Sequence, residues 1–133
     1  MDETDSSSQL SELGPVTFDT VREIAAAFPG IEEGVSYGTP AFRVRGRFLA
    51  RLHQDGVSLV IRVDEMEQDF LINLEPDVYY ITDHYRGSPY VLVRLAHVHP
   101  DDMRRLFEQA WQRVASKHLI AEYEHSLSGD STT

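Results

Sequence analysis

Apolar residues recur along the chain at two alternating periods, one typical of helices and one typical of strands. The first stripe at helical spacing consists of Val21, Ile24, Ala25 and Phe28. It predicts a helix that begins near Thr17. Pro29 and Gly30 follow directly and are expected to end it, because neither residue favours helical backbone.

The next stretch alternates apolar and polar residues at every second position, which is typical of half-buried strands. The predicted strands cover residues 41–44, 47–52 and 57–63. Arg45 with Gly46, and Asp55 with Gly56, form the turns between them, and Asp-Gly is a strong hairpin signal. The pattern therefore predicts an antiparallel meander.

A second helix is predicted to begin at Asp64, because Asp64 and Glu67 have the spacing of a capping box. Met66 and Phe70 share one face of this helix, and we expect that face to be buried. Pro76 lies just beyond its end.

Two further strands are predicted at residues 78–81 and 91–95, joined by a loop over residues 82–89. Pro100 has the position of a first helical residue. The core stripe of that helix consists of Met103, Leu106, Phe107, Ala110, Trp111 and Val114. A short last helix over residues 117–124 is expected to bury Leu119, Ile120 and Tyr123.

This order of elements favours the α+β class, with an antiparallel β-sheet and helices packed on one face. Hairpins dominate, and the parallel βαβ repeat does not occur. We predict one domain over residues 16–125. Residues 1–15, which are acidic and polar, and residues 126–133 are predicted to be disordered tails.

Composition narrows the function classes. The 133 residues include no cysteine, which excludes disulfides, thiolate metal sites and cysteine nucleophiles. No apolar run is long enough to span a membrane, and the acidic start of the chain does not resemble a signal peptide. We therefore expect a soluble, cytoplasmic protein. We also predict that it is a monomer.

Charge is distributed unevenly along a chain whose net charge is −10. Residues 36–62 hold five arginines and one acid, whereas residues 63–83 hold seven acids and no base. Because successive strand residues point to opposite faces, Phe48, Ala50 and Leu52 are expected to face the helices. The arginines expected on the opposite, open face are Arg43, Arg45, Arg47, Arg51, Arg62 and Arg94.

These arginines permit two interpretations. Guanidinium groups bind phosphate and carboxylate in a bidentate manner, so the open face is a candidate site for an anion or a nucleic acid. Alternatively, they are ordinary residues of a solvated sheet face, paired with nearby acids. The net charge of −10 opposes non-specific DNA binding.

Two loops also carry functional side chains. The stretch over residues 84–90 contains His84, Tyr85, Ser88, Tyr90 and Arg86, which is a further candidate to bind an anion, and such loops often carry binding sites. Its Gly-Ser-Pro sequence is equally ordinary turn chemistry. In the loop over residues 37–42, Thr39 is a further candidate, and Tyr37 either covers the core, the simpler interpretation, or lines a groove.

Catalytic and metal motifs are weak. His97 and His99 lie two residues apart, but spacing reveals no third ligand. Ser88, His84 and Asp83 are too close in sequence for the geometry of a catalytic triad. Phosphate-binding, dinucleotide, zinc-protease and calcium-loop motifs do not occur. We therefore predict no catalytic residues, metal ligands or cofactor.

Several stretches, taken in order, resemble the MmcQ/YjbR family. They cover residues 29–33, 37–42, 43–52, 84–89 and 91–95, followed by a helix with Ala110 and Trp111. The resemblance implies a small bacterial α+β protein similar in architecture to the frataxin-like fold. It also implies DNA binding through a "double-wing" arrangement of hairpins, without a settled enzymatic activity.

Three functions remain open on these observations. The leading hypothesis is a non-enzymatic DNA-binding module, in which Arg43, Arg45, Arg47 and Arg51 contact phosphates and the 84–89 loop completes the surface. The alternative is a binder of, or an enzyme acting on, a small anionic ligand between the 37–42 and 84–89 loops. The third is a protein-interaction domain whose acidic patches meet a basic partner.

Overall fold

The structure, a computed structural model, describes the backbone of residues 15–132 and the side chains of residues 15–127. Residues 1–14 of the predicted acidic tail lie outside the described residues. The helices are α1 (Phe18–Ala25), α2 (Glu65–Leu74), α3 (Pro100–Val114) and α4 (Lys117–Thr132). The strands are β1 (Ile31–Ser36), β2 (Thr39–Val44), β3 (Arg47–Leu52), β4 (Ser58–Arg62), β5 (Tyr79–Tyr80) and β6 (Tyr90–Arg94).

All six strands form one antiparallel sheet in the order β1-β2-β3-β4-β6-β5. The main core lies between one face of this sheet and the helices, and its buried residues come from α1, α3, the start of α4 and the strands. The predicted α+β class, with helices on one face of an antiparallel sheet, is confirmed.

N-cap residues mark where three of the helices begin. Thr17 is the N-cap of α1, with its side chain accepting a hydrogen bond from the Thr20 amide. Asp64 caps α2 through the Glu67 amide at 2.7 Å, and His99 caps α3 ahead of Pro100. All six residues of the predicted α3 stripe are buried.

A β-bulge in β3 reverses part of the predicted face assignment. Phe42 pairs with Ala50, but Arg43 pairs with Phe48, so Leu49 is an extra residue in β3. Leu49 and Ala50 are both fully buried on the helix-facing side. The prediction that Phe48 faces the helices is therefore wrong, because the extra residue turns Phe48 to the open face.

The same bulge moves Arg47 to the helix-facing side. Its Nη1 donates to the carbonyl of Val114, at the end of α3, at 3.2 Å. The prediction that Arg47 shares the open face with Arg51 is also wrong. Strict alternation fails here because one inserted residue shifts every side chain beyond it by one position.

The orientation predicted for α2 is wrong as well. Met66 and Phe70 are 84% and 62% exposed. Gln68 is buried instead, and its amide nitrogen donates to the carbonyls of Ser88 at 3.1 Å and Tyr90 at 2.6 Å. These bonds satisfy one carbonyl of the loop and one at the start of β6, and they fix the side of α2 that faces inward.

The last helix continues beyond residue 124. Its backbone is helical through Thr132, so most of the predicted tail 126–133 has helical backbone. No proline interrupts the segment, and the backbone hydrogen bonds propagate along it. Leu119 is buried, and Ile120 and Tyr123 are partly buried against the core.

None of the helices within the described part of the chain is long and apolar enough to cross a lipid bilayer.

Asp55 holds the turn between β3 and β4. Its Oδ1 accepts from the amides of Val57 at 2.9 Å and Ser58 at 3.0 Å. Burial of the carboxyl raises its pKa. The two amide donors and the neighbouring His53 together lower the pKa by more than burial raises it, so the net pKa lies below the ordinary value of 3.8. The charged form is therefore favoured by the fold.

Replacement of Asp55 with alanine is expected to lower the free energy of unfolding at about pH 7 by about 1–2 kcal/mol. Because the folded pKa lies below the unfolded value, the carboxylate stabilises the fold above the unfolded pKa, and this stabilisation is lost as the pH falls through the folded pKa. The difference from the parent should therefore shrink at about pH 2–3. Urea denaturation at both pH values measures it, with Asp55→Asn as the control that keeps one acceptor. An equal difference at both pH values would contradict this role of the charge.

Candidate ligand-binding cleft

A cleft of about 580 Å³ opens on the sheet face opposite the helices. It lies between the β1–β2 turn, the open face of β3 and β4, and the loop that connects β5 to β6. The lining residues are Ser36, Tyr37, Arg43, Phe48, Arg51, His53, Gln54, Val60, Thr82, His84, Tyr85, Ser88 and Tyr90. The cleft therefore combines both predicted loops with two of the predicted arginines.

Tyr37 stands at one side of the cleft because of a two-residue hairpin turn. Ser36 pairs with Thr39, and the residues between them, Tyr37 and Gly38, have φ of 53° and 79°. Positive φ at both central positions is the geometry that suits a tight hairpin. Tyr37 is 80% exposed, so it lines the groove, and the simpler expectation of a core position is wrong.

Arg51 forms the floor of the cleft and is only 5% exposed. Its Nη2 donates to the hydroxyl of Tyr85 at 2.7 Å. Its remaining acceptors are the side-chain oxygens of Thr39 and Gln54 and the carbonyl of Leu52, at 3.2–3.3 Å. Among residues 15–127, no carboxylate forms an ion pair with this guanidinium.

Aromatic rings form the walls. Phe48 meets Tyr90 edge to face with centroids 5.5 Å apart, and Tyr85 meets Tyr90 at 6.3 Å. Tyr85 is buried against Val60 and Leu92, in a second small apolar cluster on this face of the sheet. The Tyr37 ring lies over the Arg51 guanidinium, with Cζ 5.1 Å from the ring centroid. The cation is thus surrounded by ring surfaces and neutral oxygens.

Two histidines add titratable groups to the lining. His84 stands edge to face against Tyr85 at 4.9 Å. His53 Nδ1 lies 3.3 Å from the Asp55 carboxylate, which also accepts from the hydroxyl of Tyr80 at 3.3 Å. The turn that Asp55 organises therefore also positions one imidazole of the cleft.

The other predicted arginines are dispersed. Arg62 lies on the open face beside the cleft, donating to the carbonyl of Phe48 at 3.2 Å and covering the Tyr90 ring. Arg94 lies at the β5 side, 4.0 Å from the Tyr80 ring centroid. Its Nη1 donates to the carbonyls of Pro76 and Asp77.

The remaining two are exposed residues of turns. Arg86 is exposed and pairs with Asp83 at 2.8 Å. Arg45 is exposed in the β2–β3 turn with φ of 51°. With Arg47 on the helix-facing side, the seven arginines predicted to bind an anion do not form one continuous surface. Of these seven, Arg43 and Arg51 line the cleft.

Among the predicted loop residues, Ser88 and Thr39 have structural contacts. Ser88 Oγ donates to the carbonyl of Tyr85 at 2.6 Å, which tightens the loop. Thr39 Oγ1 donates to the carbonyl of Ser36 at 3.0 Å and accepts from Arg51. His99 caps α3 through Nδ1. Within the described residues, no group of three histidine or carboxylate side chains has the arrangement of a metal site.

Sequence reasoning assigned no site role to several lining residues, above all Phe48, His53 and Gln54, whereas Tyr90 was noted at the end of its loop but not assigned to the site. Phe48 was missed because of the bulge. The sequence did contain a signal for His53 and Gln54. Both are polar and directly follow the strand that carries Arg51, so they lie at the end of the sheet where that strand ends. Tyr90 directly follows the predicted loop and has the aromatic character that favours binding surfaces.

The family model described as YjbR matches residues 26–113. Curated relatives include the uncharacterized proteins Rv2570 of Mycobacterium tuberculosis and Mb2600 of Mycobacterium bovis. Each is 42% identical over 60 residues, which cover 45% of this chain and 46% of the relative. The match thus spans about half the length of these relatives.

Among solved structures, the chain is similar to the crystal structure of protein DR2400 of Deinococcus radiodurans, whose description names the domain DUF419. The TM-score is 0.69 at 21% identity, and the match covers 85% of this chain and 91% of that one. At this identity the likeness concerns the fold alone.

Proposed function

The chain belongs to the YjbR family, and we propose that it binds a small anionic ligand with an aromatic ring in the cleft above Arg51. The observation that carries this proposal is the buried Arg51 guanidinium, which has neutral acceptors and no carboxylate partner within residues 15–127. DNA binding, which was the leading hypothesis from the sequence, is the alternative that the same experiment tests.

A buried charge without a counter-ion is unfavourable for the fold. Moving a cation out of water costs several kcal/mol, and neutral hydrogen bonds offset only part of that cost. A bound carboxylate or phosphate would supply the missing charge and take charge-assisted hydrogen bonds from the guanidinium. Arg43, which also lines the cleft, would add a second positive charge.

The volume and the aromatic lining of the cleft indicate the size and shape of its ligand. A cleft of about 580 Å³ lies within the range typical of small-molecule sites. Phe48, Tyr37, Tyr85 and Tyr90 offer ring faces and edges for a flat group. A ligand with a ring attached to a carboxylate or phosphate would contact both the walls and the floor.

DNA fits this arrangement less well. Duplex binding depends on a continuous basic surface that follows the phosphates. Here Arg47 bonds to the end of α3 on the opposite face, and Arg86 is paired with Asp83. Arg45, Arg62, Arg94 and the two cleft arginines remain for such a role, and Arg62 and Arg94 already donate to backbone carbonyls. This arrangement favours a small ligand over a duplex.

Thermal unfolding with defined probes tests the proposal. Benzoate and adenosine monophosphate carry a ring and an anion, adenosine is the neutral control, and inorganic phosphate lacks the ring. We expect at least one ring-bearing anion to raise the melting temperature by about 10 °C at about 100 times its Kd. Adenosine and phosphate should have much smaller effects.

The contradicting outcomes are specific. If adenosine stabilises the protein as much as adenosine monophosphate, the anion is not what the cleft recognises. If neither ring-bearing anion has an effect, while a short DNA duplex binds with a steep salt dependence, the DNA hypothesis takes precedence. For a variant in which Arg51 is replaced with methionine, the matched control is Arg94→Met. Arg94 shares the open face and covers a tyrosine ring, but it lies outside the cleft.

A further inference from the structure

The outer side of α2 carries an apolar stripe without a partner in the described structure. Met66, Phe70 and Leu74 follow one another at intervals of four residues and are 84%, 62% and 59% exposed. Residues at this spacing lie above one another on one side of a helix. Scattered exposed apolar residues are ordinary, but a continuous stripe of large ones marks a contact surface.

Acidic residues flank this stripe. At 100° per residue, Glu65 and Asp69 lie along one edge of it, and Glu75 and Asp77 follow the end of α2. All four are exposed, and none forms an ion pair within residues 15–127. The other edge carries Glu67, which with Asp64 pairs with Arg113. We call Met66, Phe70, Leu74, Glu65 and Asp69 together the α2 face.

We propose that the α2 face docks a basic amphipathic segment of another protein. The apolar side chains of that segment would cover Phe70 and its neighbours, and its lysines or arginines would approach Glu65 and Asp69. Helix recognition through apolar residues at helical spacing uses this geometry, and the flanking charges set partner and orientation.

Charge opposes binding of the α2 face to a second copy of this chain or to residues 1–14. A second copy using the same face would bring acid against acid, in a chain whose net charge is −10. Residues 1–14 contain acidic residues and no basic side chain, and the acids are Asp2, Glu3, Asp5 and Glu12. A basic partner is therefore the one that complements the surface.

The α2 face is separate from the ligand cleft. Gln68, which bonds to the Ser88 and Tyr90 carbonyls, lies on the opposite side of the helix from Met66. Docking on the outer side leaves the cleft open. A partner peptide and a small ligand can therefore be tested independently, and failure of one proposal leaves the other standing.

Fluorescence anisotropy with synthetic peptides tests the docking proposal. The probe is a labelled helix-forming peptide of about 18 residues, with leucines on one face and lysines at its borders. The control peptide replaces every lysine with glutamate. We expect the basic peptide to bind, Phe70→Ser to weaken its binding at least tenfold, and the acidic peptide to bind at least tenfold more weakly.

Val57→Ser is the matched control, because Val57 is exposed to a similar extent, 61%, and lies outside α2. It should leave peptide binding unchanged. Asp69→Lys tests the charge without altering the apolar stripe, and should weaken binding and reduce its salt dependence. This second variant decides the matter if circular dichroism shows that Phe70→Ser is unfolded.

Two results would overturn the proposal. In the first, the basic peptide binds Phe70→Ser or Asp69→Lys as tightly as the parent protein. In the second, sedimentation shows a dimer of the parent protein that Phe70→Ser dissociates, so that a second copy covers the face.

Discussion

An Arg51→Met variant is expected to lose at least about 30-fold in affinity for the ring-bearing anion that stabilises the parent protein. Removing one member of a buried, hydrogen-bonded charge pair costs about 2–5 kcal/mol of binding free energy, which corresponds to about 30-fold to about 4,000-fold. Isothermal titration with adenosine monophosphate or benzoate, whichever raised the melting temperature, measures the change.

The same substitution should leave the free protein folded. Methionine fills much of the volume of the arginine stem, and removal of an uncompensated buried charge is favourable. Loss of the hydrogen bond to Tyr85 acts in the opposite direction, by about 1–3 kcal/mol. We therefore expect the free energy of unfolding to change by less than about 2 kcal/mol, far less than the loss of a buried ion pair would cause.

Arg51→Lys refines the test. Lysine keeps the charge but not the planar fork that reaches Tyr85 and Gln54 together. Its affinity should fall between those of the parent and Arg51→Met, whereas Arg94→Met should bind like the parent. Equal affinity of Arg51→Met and the parent would show that the floor of the cleft does not hold the anion.

The helix starts and the α3 core were predictable because their signals are local. Thr17 at the start of α1, the proline at Pro100 and the apolar stripe around Trp111 each act within one or two helical turns. The hairpin turn at Gly56 was equally local. Such signals need no knowledge of the strand or helix that packs against them.

The bulge at Leu49 was not predictable in the same way. It is a property of the pairing between β2 and β3, and the alternation within β3 alone gives no sign of it. Its effect is large, because it exchanges the faces of Arg47 and Phe48. Strict alternation therefore placed Arg47 wrongly on the open face and left the aromatic wall formed by Phe48 out of the site.

The orientation of α2 failed for a related reason. Met66 and Phe70 form a true helical stripe, but a stripe alone does not reveal whether the fold or another molecule covers it. Gln68 decides the orientation through the carbonyls of Ser88 and Tyr90, about twenty residues further along the chain. The meeting of Tyr37 and Tyr85 across Arg51 is likewise long-range, although each loop was identifiable by itself.

Trp111→Ala is expected to lower the free energy of unfolding by about 3–5 kcal/mol, the range for removal of a large buried aromatic side chain. Trp111 is fully buried, and its ring lies 5.3 Å from Phe28 and 5.2 Å from Tyr123. Its Nε1 donates to the carbonyl of Pro29 at 3.0 Å, which ties the connection between α1 and β1 to α3. Truncation leaves both a cavity and an unpaired carbonyl.

Two controls separate these contributions. Trp111→Phe keeps an aromatic ring between Phe28 and Tyr123 but removes the donor to Pro29, so it should lose about 1–3 kcal/mol. Met66→Ala, at a position that is 84% exposed, should change stability by less than about 0.5 kcal/mol. Urea denaturation followed by circular dichroism measures all three. A Trp111→Ala variant no less stable than Met66→Ala would contradict a core centred on α3, because a collapse around alanine does not recover the contacts of a buried indole.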